Sequence, residues 1–114
     1  MSLLSRDAII ADLGLKSKRV KAWGGEVIVS EMTGMLRERW ESLIFDDRGQ
    51  LQKSNLRAKL LVCCLVDEEG NPLFSAEDHE LLGRKDSRTI QRLHEIAREL
   101  NPLDNSDVED AKND

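Results

Sequence analysis

Apolar residues in this chain follow two spacings, alternation near the N-terminus and every third or fourth position beyond it. Ser5-Arg-Asp-Ala-Ile-Ile-Ala-Asp-Leu13 suits a short helix with Ser5 as N-cap and Asp7 in the first turn, ended by Gly14. Residues 18–22 and 26–32 alternate around Gly24-Gly25, a pair that tolerates the positive φ of a two-residue hairpin turn. Val27, Val29 and Glu31 share one face of the second strand, and Ile28, Ser30 and Met32 the other. Neither face is cleanly polar, so the hairpin is expected to pack on both sides or to offer one side to a partner.

Helical spacing takes over at Thr33, a plausible N-cap for residues 34–45, where Leu36, Trp40, Leu43 and Ile44 form one stripe. Asp46-Asp47-Arg48-Gly49 breaks the pattern. A third helix, about 54–66, carries Leu56, Leu60, Cys63 and Cys64 on one side. Leu61 and Leu65 widen that stripe until the last two turns are apolar nearly all round, which marks this helix as central. Gly70, Asn71 and Pro72 reverse the chain and return Leu73 and Phe74 to the core, and Ser75 with Asp78 makes a capping-box pair before a short helix at 76–82 that stops at Gly83. A fifth helix, about 86–100, shows Ile90, Leu93, Ala97 and Leu100 in register, and Asn101-Pro102 ends it.

The pattern predicts an α+β fold, mainly α. An N-terminal β-hairpin (about 18–32) packs with four to five helices in a single domain of residues 1–102, and no internal repeat is expected. Residues 103–114 hold five acids, one lysine and three apolar residues, and are expected to form a mobile acidic tail.

Charge and chemistry narrow the function. The net charge of −5 and a pI near 5.1 argue against nucleic acid as the main partner. Lys16, Lys18, Arg19 and Lys21 form a local exception, which fits an edge strand guarded by lysines. Cys63 and Cys64 are adjacent, about 100° apart on a helix, so they suit buried thiols better than a disulfide. No apolar run is long enough to span a membrane. The Asp67 turn departs from a calcium loop, with Pro72 at the sixth position where glycine is required. His94-Glu-Ile-Ala-Arg98 lacks the second histidine of a zinc helix, and His79 reads as a surface residue. No catalytic constellation, cofactor motif or metal spacing emerges, so the expected role is binding and not catalysis.

Candidate contact residues gather near the hairpin. Trp40 lies on a helical stripe and is assigned to the core. Trp23, at the turn, either packs the hairpin on the helices or meets another chain. Met32 and Met35 suit a surface that accepts varied apolar sequences. With Gly24, Gly25 and Leu36, these residues make up the expected partner-binding or self-association surface.

Several segments resemble, in order and spacing, the small tail assembly chaperones of long-tailed bacteriophages. They are Ala22-Trp-Gly-Gly-Glu-Val27, Met32-Thr-Gly34, Asn55-Leu-Arg-Ala58, the turn with Leu73-Phe-Ser75 and Asp78, Leu100-Asn101, and Ala111-Lys-Asn113. The resemblance implies a non-catalytic protein of the host cytoplasm, absent from the mature virion. Such a protein coats the tape measure protein, keeps its apolar helices soluble, self-associates into a spiral and is displaced by arriving tail-tube subunits. Two other classes stay open on residues alone. One is a regulatory adaptor or antitoxin-like module whose acidic tail folds onto a basic partner. The other is a nucleic-acid accessory protein using Lys16–Lys21.

The resemblance also implies a minority longer product, made by a ribosomal slip near the stop codon, whose added domain helps to recruit tail-tube subunits. Ala111-Lys112-Asn113 can be encoded by GCA-AAA-AAC, which contains the slippery heptamer A-AAA-AAC. Sequencing the gene checks this: the expected result is that heptamer over codons 111–113 followed by an open −1 frame, and its absence removes the frameshift.

Overall fold

The computed structural model describes residues 3–11 and 14–102. The expected tail, and with it Ala111, Lys112 and Asn113, lies outside the described residues. The chain runs α1 (Arg6–Ala11), β1 (Ser17–Ala22), β2 (Gly25–Ser30), α2 (Gly34–Ile44), α3 (Leu56–Cys64), β3 (Leu65–Val66), a 3₁₀ turn (Ala76–Asp78), α4 (His79–Leu82) and α5 (Ser87–Leu100). This is the expected α+β, mainly helical architecture. The three strands form an antiparallel sheet in the order β1-β2-β3. β1 is therefore an edge, and Lys16, Lys18, Arg19 and Lys21 stand exposed along it.

The hairpin turn sits one residue earlier than the glycine pair suggests. Ala22 pairs with Gly25 and Val20 with Val27, which leaves Trp23 and Gly24 as the loop. Both have positive φ, 52° and 79°, as a type I′ turn requires. A tryptophan in the left-handed region is strained by about 1 kcal/mol, and contacts of its ring described below offset that strain.

The third helix is shorter than its apolar run. α3 ends at Cys64, and Leu65-Val66 extend to pair with β2 in the register Ile28↔Val66 and Val29↔Leu65. A continuous apolar run carries no periodicity to separate a buried helix from a buried strand. Every residue from Ala58 to Val66 is buried, Lys59 included. α3 packs against α2, α4 and α5, and α5 in turn lies on β1 and β2. Val29, Leu60, Leu61, Leu93 and Ala97 occupy the centre.

Two further departures concern the turns. Leu73 stays 52% exposed and does not return to the core, while Phe74 is half-buried against it. The polar turns after α2 and α3 are also the same device used twice. In Asp46-Asp-Arg-Gly-Gln50 the Asp46 carboxylate accepts from the N–H of Arg48 and Gln50, and in Asp67-Glu-Glu-Gly-Asn71 the Asp67 carboxylate accepts from Glu69 and Asn71, each at 2.8–2.9 Å. Gly49 and Gly70 supply the positive φ, and the flanks pair as Phe45↔Leu51 and Val66↔Pro72. Each is a three-residue loop with a glycine bulge. Helix followed by Asp-x-x-Gly-Gln/Asn is thus a local repeat, and the Asp67 carboxylate is committed to the backbone.

The expected caps are present. Thr33 accepts from Leu36 N–H, and Ser75 with Asp78 forms the capping box; Asp86, not expected as a cap, accepts from Thr89 N–H at the start of α5. Ser5 accepts from Ala8 N–H, although no residue of α1 is buried. Asn101, read from the sequence only as a helix stop, is the least expected core residue. Its Oδ1 accepts from Met32 N–H at 2.7 Å, and its Nδ2 donates to the Ser30 and Ala97 carbonyls at 3.2 and 3.0 Å. It ties the end of β2 to the end of α5.

Leu93→Ala is expected to lower unfolding free energy by about 2–5 kcal/mol through lost transfer energy and a cavity. Asn101→Ala is expected to lower it by about 1–3 kcal/mol by stranding buried backbone groups. Urea denaturation followed by circular dichroism measures both, and a loss below about 0.5 kcal/mol at either site contradicts the packing described here.

Candidate functional site

α2 and α5 both lie on α3 but scarcely meet one another. The wedge between them is an open groove of about 990 Å³. Trp40, Ile44 and Phe45 from α2 and its C-cap, Leu60 from α3, Ile90 from α5 and Leu51 from the first Asp-x-x-Gly hairpin supply its apolar lining. The Phe45↔Leu51 bridge and the bond from Gln52 N–H to Ile44 O hold Leu51 in place, 42% exposed.

The lip of the groove is cationic. Lys53, Arg57, Lys85, Arg88 and Arg98 contribute to it, and no Asp or Glu lines the groove among the described residues. That is an inversion of the chain's average, since the protein as a whole carries −5. His94 lines the same wall, and its pKa lies below the usual histidine range, chiefly through burial and then through the Arg98 and Arg57 charges, with Glu95 opposing. An apolar floor with a one-sign lip suits a ligand that is apolar on one face and acidic beside it.

Local chemistry shapes the groove's end at the start of α3. Asn55 takes a left-handed φ of 56°, which asparagine tolerates, and its Nδ2 donates to the His79 carbonyl at 2.6 Å. Gly83 must lack a side chain there, because a Cβ would collide with the Asn55 amide. His79 is thereby half-buried and tied to Asn55, a more structural position than the sequence suggests.

The surface expected from the sequence is divided in the structure. Trp23, Gly24 and Gly25 lie at the turn, and Trp23 Nε1–H donates to Asp86 Oδ1 at 3.0 Å while Lys85 Nζ stands 5.5 Å from its ring centroid. Trp23 thus fastens the hairpin to the start of α5 and keeps 37% of its surface exposed. Met32, Met35 and Leu36 lie beyond the other end of β2, on the order of 17 Å along the strand. Met35 is 83% exposed, Met32 packs partly on the core, and Leu36 is buried in this chain's own core. Trp40 is half-buried with Arg37 over its ring, and it lines the groove instead of lying fully in the core.

Sequence reasoning missed the groove because its cations come from distant segments. One signal was available: Arg88, Gln91, His94 and Arg98 repeat at three, three and four beside the buried stripe of α5.

Burial pushes the Cys63 thiol up to about 11, with Arg39 opposing, and the Cys64 thiol up to about 12. Both are therefore protonated and inert at neutral pH. No cluster of metal-ligating side chains occurs among the described residues, and no described helix is long and apolar enough to cross a membrane.

The described residues form a small α+β domain with a three-stranded antiparallel sheet, a buried central helix and an open amphipathic groove. The family profile described as phage tail assembly chaperone matches residues 8–114, and the chain belongs to that family. Among solved structures, the bacteriophage HK97 tail assembly chaperone shares the fold, with a TM-score of 0.55 and 23% identity over 76% of this chain and 86% of that one. No curated protein matches the chain.

Asp86 supplies a pH test of the hairpin anchor. The hydrogen bonds from Thr89, and after them the bond from Trp23, hold its carboxyl down to about 2, below the usual 3.8. A folded-state pKa below the unfolded value means stabilisation that is present above about pH 4 and is lost as pH falls toward 2. Acid titration of Trp23 emission in a Trp40→Phe background should report release of the hairpin in that interval. Asp86→Ala should remove that step, and an unchanged titration contradicts the anchor.

Proposed function

We propose that this chaperone binds the tape measure protein through the groove between α2 and α5, without catalysis, and keeps that client soluble in the host cytoplasm until tail-tube subunits displace it. The observation that carries this reading is the open apolar floor with a cationic lip in an otherwise acidic chain. An amphipathic client helix lays its apolar face on such a floor, as helix-in-groove recognition requires. The groove is shallow and water-exposed, so each subunit holds weakly, and many subunits along one extended client multiply the effect. Subunits sharing a client meet through surfaces the fold leaves uncovered. On α1, Ile9 and Ile10 are 55% and 66% exposed, and Met35 opens α2. A longer frameshifted form would bring the tail-tube subunit. After the coat has left, the chaperone would be absent from the virion.

The family and the groove favour this reading over an adaptor or antitoxin-like module. The Lys16–Lys21 edge has a simpler role as a guarded strand, and Arg19 is paired there with Glu68 at 3.2 Å.

Co-expression with the tape measure protein tests the reading. Wild type should keep the client in the soluble fraction, in complexes that sediment as multi-subunit particles. Leu51→Asp or Arg88→Glu should weaken capture about tenfold or more, a loss of roughly 1.4 kcal/mol. Leu81→Asp, exposed and outside the groove, should leave capture intact. If the groove variants leave capture unchanged, the client does not lie in the groove.

A further inference from the structure

The groove between α2 and α5 differs at its two ends. Lys85 and Arg88 flank the start of α5, and Lys53 lies close in sequence to Asn55, whose amide meets Gly83 at the same end. No acid lines the groove there among the described residues. The far end runs into a smaller hollow of about 660 Å³, where Glu95 and Glu99 stand with Arg57 and Arg98. Positive charge is therefore unmixed at the start of α5 and mixed with acid toward its end. We infer that the groove takes a helical segment of about three turns whose carboxylates gather at one end, and that they set its direction by lying at the start of α5. This rests on the groove being the client site and says which client segments enter it, and which way round.

Length and floor define the segment. The α5 wall from Ser87 to Arg98 is roughly 17 Å long at 1.5 Å per residue, which matches about three turns of a helix lying along it. Trp40 and Leu51 keep part of their surface open beside the buried Leu60 and Ile90. Together they form an apolar strip for the i, i+3, i+4 and i+7 side chains of that helix.

The other acids near the groove leave its charge gradient in place. Asp86 adjoins Lys85, but its carboxylate accepts from the Trp23 indole and from Thr89 N–H. Glu38, Glu41, Asp46 and Asp47 line a separate hollow on α2, which shares only Phe45 with the groove. Glu95 accepts from Gln91 Nε2 at 3.0 Å and stays at the far end. A carboxylate at the start of α5 thus meets Lys53, Lys85 and Arg88, whereas one at the far end meets Glu95 and Glu99 beside the arginines.

Attraction at one end with repulsion at the other is how a charged surface fixes orientation and rejects wrong partners. Each exposed pair is weak by itself, so the direction depends on several carboxylates acting together. An apolar floor alone would hold any amphipathic helix in either sense. Where acidic-ended segments recur in one sense along a client, the subunits that hold them face the same way.

The test uses the full chain and two synthetic peptides of equal composition, each of about twelve residues, the length of about three helical turns. Both carry leucines at i, i+3, i+4 and i+7. One has a cluster of glutamates in its last turn and the other has the same cluster in its first. A nitroxide at the glutamate end should broaden the amide signals of Gly83 and Ser87 severalfold more than those of Arg98 and Glu99, with both peptides. Direction then follows the carboxylates and reverses between the two. Replacing the glutamates with lysines should weaken binding about tenfold or more. Lys53→Glu combined with Arg88→Glu, its fold checked by circular dichroism, should weaken the glutamate peptides as much and leave a glutamine peptide unaffected. Both peptides lying in one chain direction, equal broadening at the two ends, or lysine peptides bound as tightly as glutamate ones overturns the inference. So does a shift of the Gly83 and Ser87 signals with protein concentration alone that Arg88→Glu abolishes, since the occupant is then the acidic α2 hollow of a second copy.

The two readings fail separately. If the peptides lie as expected but Leu51→Asp leaves capture of the tape measure protein unchanged, the groove is not the client site and its charge direction stands. If Leu51→Asp weakens capture while the peptides lie either way round, the client reading stands and this inference is wrong.

Discussion

The complete burial of Ala58–Val66 is the constraint on which the rest of the structure depends. A helix whose last two turns are apolar nearly all round, with Lys59 buried among them, has no side that suits water, so other elements must surround it. α2, α4 and α5 cover α3, and its last apolar residues, Leu65 and Val66, leave the helix to join the sheet. The covering helices are then positioned by α3 more than by one another. The open wedge between α2 and α5 follows from this, since both are docked on α3 and neither needs the other.

α5 is held on its second side by polar ties to the hairpin. Asp86 accepts from the Trp23 indole at its start, Arg92 Nη2 donates to the Lys21 carbonyl at 2.7 Å in its middle, and Asn101 bonds Met32 and Ser30 at its end. These contacts span the hairpin's length and account for a strained tryptophan in a turn. Because the groove's other wall is α2, anchoring α5 to the sheet keeps that wedge at a fixed width. A hydrogen bond to Asn101 at one end of the fold thus bears on the geometry of a surface it does not touch.

Local features were legible in the sequence wherever they depended on neighbours in the chain. The caps at Thr33, Ser75 and Ser5, the stop at Gly83 and the stripe of Ile90, Leu93 and Ala97 are all of this kind. The turn was displaced by one residue because register, and not glycine, decides which pair forms the loop: Val20 opposite Val27 forces Trp23 into it. The end of α3 was misplaced because Leu65 and Val66 are equally apolar as helix or strand, and only the partner strand resolves them. The repeated Asp-x-x-Gly turn is masked in the sequence by its differing intervening residues, and only the shared hydrogen bonds make the two turns equivalent. The groove shows in the sequence only as the polar stripe of Arg88, Gln91, His94 and Arg98, because the rest of its lip joins Lys53 and Arg57 from separate segments.

The groove also explains why stability and binding pull against each other here. Trp40 and Leu51 would stabilise the domain further if α2 closed on α5 and removed them from water. Closure would bury Lys53, Arg57, Lys85 and Arg88 against one another with no acid lining the groove among the described residues, and burying like charges together is strongly unfavourable. The basic lip therefore does two things at once. It opposes collapse of the wedge on its own apolar floor, and it suits a ligand that brings negative charge along with apolar surface. Lys85 joins the two halves of the molecule, lining the groove with its charge while standing over Trp23 at the hairpin turn.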